Sequence, residues 1–230
     1  MSARTTVVRS AVSALAVVAT LAATSHSEHR AGDLDVTVVA VATPAEPSAT
    51  DEALEVARLG GRSSTVQSSA TATSDCEGCS ATGSAVTVAY VSGSGTARVD
   101  NVAHAWSTCV GCTSRTVSVQ VVVLRHAGTV HATNRAFAAN VACEGCTTAA
   151  EAYQLVVVGG GKAFDRRELG ELTSWADARA AQLTAGSTQR SATPPASEEE
   201  LLAELEGQAA EALGGLRTIR LDVDTSAATG

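Results

Sequence analysis

The stretch Cys109–Leu124, CVGCTSRTVSVQVVVL, decides how the fold of this chain is interpreted, because a close variant of it recurs. The second copy, CEGCTTAAEAYQLVVV, begins 34 residues later at Cys143, and a third Cys-x-Gly-Cys unit begins 33 residues earlier at Cys76. We call these three units clasps, and together they contain all six cysteines of the chain. Their even spacing predicts a structural repeat with one clasp in each copy.

Each clasp has the composition of a two-residue hairpin turn, in which glycine at the second position supplies a positive φ. In the middle clasp, Val110 and Gly111 would form the turn, and continued pairing outward would separate the flanking residues into two faces. One face would carry Val102, His104, Trp106, Val117, Val119 and Val121, and the other Ala103, Ala105, Thr116, Ser118 and Gln120. The sequence therefore predicts antiparallel hairpin repeats with a buried valine face and a Thr/Ser/Gln face suited to contact.

Five residues outside the cysteines recur at fixed offsets and are interpreted as structural residues of the repeat. They are the clasp glycines Gly78, Gly111 and Gly145, and the glutamines Gln120 and Gln154. The first copy lacks the glutamine. Because the two glutamines precede apolar runs at the same offset, we expect them to form side-chain ladders rather than to act as catalytic groups.

The three cysteine pairs are compatible with three chemistries. An exported chain meets oxidising conditions, which favour the disulfides Cys76–Cys79, Cys109–Cys112 and Cys143–Cys146. Zinc is the first alternative, because two Cys-x-x-Cys pairs supply four thiolates. Thiol redox activity is the second, although a reactive pair normally lies at a helix N-terminus and VSVQVVVL does not have a helical pattern. We expect structural disulfides, no metal and no other cofactor, with zinc binding by the same cysteines as the alternative.

Residues 1–25 have the pattern of an export signal. Arg4 and Arg9 precede a short apolar run, and small residues follow it. This pattern predicts a mature chain that begins between Ala23 and Ala31 and has no membrane span, whereas an uncleaved signal would anchor the chain. An oxidising destination, secreted or in the cell envelope, agrees with the predicted disulfides.

The rest of the chain divides into three regions by composition. Residues 26–62 are predicted to hold the strand DLDVTVVAVAT, a proline-bearing loop and a short helix ending at Gly60. Residues 63–160 form the hairpin-repeat region with about six strands. Residues 161–230 hold two helices, a linker containing Pro194 and Pro195, and a final strand, LRTIRLDVD, that extends the sheet or pairs with the first strand. Ser197 is expected to cap the second helix, and Gly214 to end it. The predicted fold class is mainly β (α+β).

The run from Asn101 to Val158 resembles the Cys-x-x-Cys repeats of a family of exported or membrane-tethered actinobacterial proteins without assigned function. The matching features are the second and third clasps, the Ala/Val alternation, Asn140 and the two glutamines. Similar repeats occur in proteins named automatically as putative peptide zinc metalloproteases. The resemblance implies an exported protein but no reaction, and the protease motif H-E-x-x-H is absent from this sequence.

Charge and motifs limit the functions that this sequence can have. The net charge of −8 and the lack of a basic tract argue against nucleic acid as a partner. No catalytic residue is assigned: Lys162 follows three glycines without completing a phosphate-loop motif, and His104 is interpreted as structural. The favoured function is a non-enzymatic structural or binding protein, with sheet edges that can bind another protein or a second copy.

Overall fold

The computed structural model describes residues 6–8, 32–93, 95–125, 128–159, 162–183 and 197–229. Within these ranges there are ten β-strands and two helices, and both helices lie between the ninth and the tenth strand. The strands are β1 (Thr6–Val8), β2 (Asp33–Ala42), β3 (Ser48–Gly60), β4 (Ser63–Ser74), β5 (Ser80–Ser92), β6 (Thr96–Ser107), β7 (Thr113–Arg125), β8 (Thr129–Asn140), β9 (Thr147–Gly159) and β10 (Leu216–Thr229). The helices are α1 (Arg166–Gln182) and α2 (Glu198–Leu213).

The strands form a β-solenoid with two sheets, in which each coil contributes one strand to each sheet. Sheet A has the order β1-β2-β4-β6-β8, and sheet B has the order β10-β9-β7-β5-β3. Neighbouring strands are parallel throughout, except that β10 pairs antiparallel with β9. The 33- to 34-residue period is therefore the length of one coil, which stacks on its neighbours as in other repeat proteins.

The prediction of antiparallel hairpin repeats is wrong. The strands that flank the middle clasp, β6 and β7, lie in different sheets, and each pairs with strands one repeat away. The clasp is a corner rather than a hairpin turn. Identical residue patterns favour this arrangement, because parallel stacking in register places like residues beside like residues in every coil.

The two predicted faces of the repeat exist, but their environments differ from the prediction. Ala103 and Ala105 point into the solenoid with Ser118 and Gln120, and all four are buried. The Thr/Ser/Gln face is thus the interior. Val117, Val119, Val121 and Val123 of β7 point outward under the helices, while Trp106 points outward from sheet A and is exposed.

Asp33–Gly60 is a complete first coil, which sequence analysis treated as a separate region. The predicted short helix before Gly60 is wrong, since β3 is a strand that pairs in register with β5 over its whole length. Thr43 and Glu46, which bridge each other, stand 33 residues before Cys76 and Cys79. Tertiary pairing overrides the helical propensity of DEALEVARL.

Both helices pack on the outward face of sheet B. Asp165 caps α1 through a capping box with Glu168, and Ser197 caps α2 in the same way with Glu200. Gly214 ends α2 in the left-handed conformation, with φ of 69°. The central strands of sheet B are therefore buried on both faces, which explains their continuous apolar sequence. Both helices lie where the sequence predicts them.

The final strand, β10, closes the C-terminal end of the solenoid. It pairs with β9 along almost its whole length and does not pair with β2. It also satisfies the edge of β8 through side chains: the Asp224 carboxylate accepts from the Ala136 N–H at 2.8 Å, and the Ser226 hydroxyl accepts from the Ala138 N–H at 2.9 Å. Covering a sheet edge in this way prevents uncontrolled strand pairing.

The predicted export signal lies outside the described residues, except for β1. This three-residue strand pairs in parallel with Asp35–Thr37 of β2. The predicted start of the mature chain and the proline-bearing linker also lie outside the described residues.

Candidate binding face and the clasp corner

The three clasps form one corner of the solenoid and contain the predicted disulfides. The Cα atoms of the paired cysteines are 5.3 Å apart in the first clasp, 5.8 Å in the second and 5.9 Å in the third. These distances are within the usual range for a disulfide. Main-chain hydrogen bonds join successive clasps: Gly78 N–H donates to the Val110 carbonyl at 2.9 Å, and Gly111 N–H to the Glu144 carbonyl at 2.8 Å. The corner is a ladder of stacked turns.

The clasp glycines have the positive φ that their position in the turn predicts. The φ angles of Gly78, Gly111 and Gly145 are 68°, 67° and 67°. No heavy atom lies within 4 Å of a Cβ added at any of them. Backbone conformation rather than space therefore requires glycine here.

The cysteine pairs are oxidised and largely buried in this structure. In this oxidised form all described cysteines are paired, so none offers a thiolate to zinc. The second cysteine of each clasp is almost fully buried, and each clasp leads into a strand rather than a helix. Neither described helix begins at a clasp, whereas reactive pairs normally lie at a helix N-terminus. Among the described residues, no group of histidine, cysteine and acidic side chains is arranged to hold a metal ion.

The predicted glutamine ladder forms inside the solenoid, between coils of one chain. The Gln154 amide donates to the Gln120 side-chain oxygen at 2.8 Å, and both residues are fully buried. Gln154 also donates to the Thr133 carbonyl at 2.9 Å, and Gln120 to the Asp100 carbonyl at 3.0 Å. The glutamines of sheet B thus connect to the backbone of sheet A and hold the two sheets together.

A second interior network was missed by sequence analysis. Asn101 donates to the Asn134 side chain at 2.9 Å and to the Ser118 carbonyl at 3.1 Å, and the Ser118 hydroxyl donates to Asn101 at 2.6 Å. Ser68, Asn101 and Asn134 are spaced 33 residues apart and are neighbours in sheet A. That spacing, applied to polar residues as well as to cysteine, is the signal that identifies them.

Sequence analysis also missed a buried ion pair that attaches α1 to sheet B. Arg179 donates to both carboxylate oxygens of Glu151, at 2.6 and 2.5 Å, and the Tyr153 hydroxyl donates to the same carboxylate at 2.5 Å. Burial, and then the charge of Glu151, raise the pKa of Tyr153. The group fixes the angle of α1 on the sheet. The charges of Arg179 and Glu151 are paired with each other, and both carboxylate oxygens of Glu151 already accept hydrogen bonds.

The outward face of sheet A differs from that of sheet B, because both described helices pack on sheet B. Two rows of outward side chains cross four of its five strands, β2, β4, β6 and β8, in register. One row contains Val39, Thr71, His104 and Phe137, and the other contains Val41, Thr73, Trp106 and Ala139. We call these eight residues the aromatic face.

Two aromatic side chains are exposed next to each other on this face. Trp106 is 39% exposed and Phe137 49%, and their ring centroids lie 6.3 Å apart with planes inclined by 31°. His104 meets Phe137 edge to face at 6.2 Å. The chain has six Phe, Trp and Tyr residues, and the other four belong to the core between sheet B and the helices. Trp106 and Phe137 are therefore the exposed aromatic residues of the described chain.

The charged groups beside the aromatic face neutralise each other. Arg135 donates to both carboxylate oxygens of Asp100, at 3.0 and 2.9 Å, and the Thr133 hydroxyl donates to Asp100 at 2.5 Å. Burial, and then the nearby charge of Arg135, lower the pKa of His104 from its ordinary value of 6.5. The imidazole is therefore neutral at pH 7, with one ring nitrogen as a donor and the other as an acceptor.

Comparisons of this chain with protein-family models, with curated proteins and with solved structures find no match. In the described part of the chain, no helix combines the length and the apolar character needed to cross a membrane.

Proposed function

We propose that this chain is an exported, non-enzymatic binding protein of the cell envelope, and that its disulfide-stapled solenoid presents the aromatic face to a partner. The observation that carries the proposal is the exposure of Trp106 beside Phe137 on the sheet that the described helices leave uncovered. Aromatic residues are enriched where proteins bind their partners, because they bury a large area at little entropic cost.

Three closely spaced disulfides support the exported part of the proposal, since disulfides persist in oxidising compartments. The buried clasps also support a scaffold role over a thiol-redox one. The interior polar ladders also support a scaffold role, because they fix the distance between the sheets without forming an accessible site.

Binding through a sheet edge is the weaker route for this chain. The edge strand β3 is 13 residues long, but Asp51 and Glu55 have the inward parity of its buried residues Ala57 and Leu59. Charged residues that point inward on an edge strand oppose the docking of another strand. Asp51 is already engaged, because its carboxylate accepts from the Val39 N–H at 2.9 Å. We therefore place partner binding on the face.

Two measurements test the proposal. Purified oxidised protein is mixed with isolated envelopes of the producing cells, and the fraction that co-sediments is compared for the wild type, Trp106→Ala and Phe137→Ala. Val110→Ala, which removes an exposed apolar side chain in a clasp turn outside the aromatic face, is the control. We expect both aromatic variants to lose binding and the control to keep it. Equal binding by all four proteins would refute the assignment of the face.

The second measurement is N-terminal sequencing of the envelope-associated protein. We expect a first residue between Ala23 and Ala31. A retained Met1 in cytoplasmic protein, with six reduced cysteines, would refute export. Stoichiometric zinc in that material would support the metal alternative instead.

A further inference from the structure

From the composition of the aromatic face we infer that its ligand is an uncharged, β-1,4-linked polysaccharide, of the kind that forms the glycan strands of cell walls. This inference rests on the proposed function and names the partner class. Each pyranose ring of such a chain has an apolar face of C–H bonds and a rim of hydroxyl groups. The aromatic face offers the two matching kinds of group side by side.

The apolar part of the match is the Trp106 and Phe137 pair. Their rings are inclined by only 31° and both are open to solvent, so each can cover the C–H face of one sugar ring. The polar part is the hydroxyl and imidazole groups in the same rows. Thr73 is the neighbour of Trp106, and Thr71 is the neighbour of His104. Neutral His104 both donates and accepts, as a sugar hydroxyl does.

Charge selects against the anionic polymers of an envelope. The one arginine that adjoins the aromatic rings, Arg135, is already bound by both carboxylate oxygens of Asp100. The chain as a whole carries a net charge of −8, which repels polyanions and anionic lipid surfaces. An uncharged polymer needs no free arginine and is not repelled by the net negative charge.

Shape selects a flat, extended chain. The strands of sheet A pair in parallel without a register shift between β2 and β8, so each row of the aromatic face runs straight across them. Adjacent strands lie about 4.8 Å apart, and the rows therefore offer contacts at even steps over roughly 14 Å. A β-1,4-linked chain is a flat ribbon that can cover Trp106 and Phe137 together, since these two rings stand in adjacent rows on adjacent strands, whereas an α-1,4-linked chain curves away from such a surface.

The experiment measures co-sedimentation of the full oxidised chain with insoluble chitin, an uncharged β-1,4-linked polymer of N-acetylglucosamine. Amylose resin provides the uncharged but α-linked comparison, and insoluble pectate provides the anionic one. We expect binding to chitin and not to the other two. Trp106→Ala and Phe137→Ala should each weaken binding about tenfold, and Val110→Ala should leave it unchanged.

Fluorescence gives a second readout that does not depend on the pellet. Trp175→Phe leaves Trp106 as the only tryptophan and keeps an aromatic ring in the core. Soluble chitin oligosaccharides should then shift the Trp106 emission to shorter wavelength, because a covering sugar ring removes water from the indole. Far-UV circular dichroism and the melting temperature establish that each variant is folded.

The outcomes separate this inference from the function on which it rests. If the protein binds cell envelopes through Trp106 but binds neither chitin nor its oligosaccharides, the ligand class is wrong and the binding function remains. If it binds pectate as well as chitin, selection by charge is wrong. If folded protein binds neither envelopes nor chitin, both proposals are wrong.

Discussion

The Asp224 carboxylate of β10 accepts a hydrogen bond from the backbone N–H of Ala136 in β8, at a distance of 2.8 Å. This side chain replaces the main-chain carbonyl that the next coil would supply if the solenoid continued. This hydrogen bond helps β10 to close the sheet edge that β8 would otherwise leave open. It also yields a test of whether β10 limits end-to-end assembly, because parallel stacks with two open ends can grow without limit.

Asp224→Ala is expected to lower the free energy of unfolding by about 1–3 kcal/mol, since it leaves a partly buried N–H without an acceptor. Asp222→Ala is the matched control on the same strand. Its carboxylate pairs with Arg220 at the surface, where an ion pair contributes about 0–1 kcal/mol. Urea unfolding measures both values, and light scattering reports assembly. Equal destabilisation by the two changes would contradict the capping role.

Each clasp disulfide is expected to lie within one short peptide when the oxidised protein is digested without reduction and mapped by mass spectrometry. Loss of one clasp, as in the double change Cys109→Ala and Cys112→Ala, should cost about 1–2 kcal/mol, because the closed loop is very short. A peptide that links two different clasps would contradict the pairing. Six free thiols with bound zinc would contradict the structural role itself.

Gly111→Ala and Gly170→Ala are the same chemical change, but we expect the first to lower the stability of the fold and the second to raise it. No atom lies within 4 Å of an added Cβ at either site, so only backbone conformation distinguishes them. Gly111 has φ of 67°, and alanine there should cost about 1–2 kcal/mol. Gly170 is inside α1, where alanine should stabilise by about 0.5–1 kcal/mol. Thermal unfolding of both variants checks the prediction, which fails if the two shifts share a sign.

Glu52→Gln is expected to raise the melting temperature at pH 7 more than at pH 4. Burial, and then the charges of Asp177 and Asp51, raise the pKa of Glu52. A carboxyl group whose pKa is raised on folding stabilises the folded state below its unfolded pKa, and this contribution is lost as the pH rises through the folded pKa. The wild type thus loses stability on ionising Glu52 at neutral pH, and glutamine avoids that loss.

Glu144→Gln, in the exposed turn of the third clasp, controls for the removal of one negative charge. Melting curves at pH 4 and pH 7 for the three proteins test the sign. A gain for Glu52→Gln that is larger at pH 4, or one that Glu144→Gln reproduces, would contradict the assignment.

Local signals in the sequence predicted local features well. The Cys-x-Gly-Cys spacing predicted both the disulfides and the positive φ of glycines such as Gly111, because both depend on four consecutive residues. The helix caps at Ser197 and Gly214 were predicted for the same reason. A feature that depends on a few neighbouring residues is encoded where it occurs.

Pairing between distant strands could not be predicted in the same way. Val102 and Val117 alternate with small polar residues whether their strands form a hairpin or two walls of a solenoid, since the side-chain period is 2 in both. The equal spacing of the clasps was the available clue to parallel stacking. The first coil was missed because it has Thr43 and Glu46 where the others have cysteine.

The aromatic face was missed because sequence analysis placed Trp106 on the buried face of the repeat. A tryptophan that alternates with alanine is normally the buried member of the pair. Here Ala103 and Ala105 are the inward members of β6 and are buried against Ala150 and Ala152. The buried Arg179–Glu151 pair could not be predicted from the sequence either, because it joins residues of a strand and a helix that carry no motif.

The stacking of equal coils has a consequence for how such a molecule can change in size. One copy of the repeat sets the cross-section, while the number of copies sets only the length. Duplication of one 33-residue segment, such as 96–128, would add about 4.8 Å of length and one more contact to each row of the outer surface. The length of the solenoid therefore changes in whole coils, which genetic duplication or deletion can add or remove one at a time.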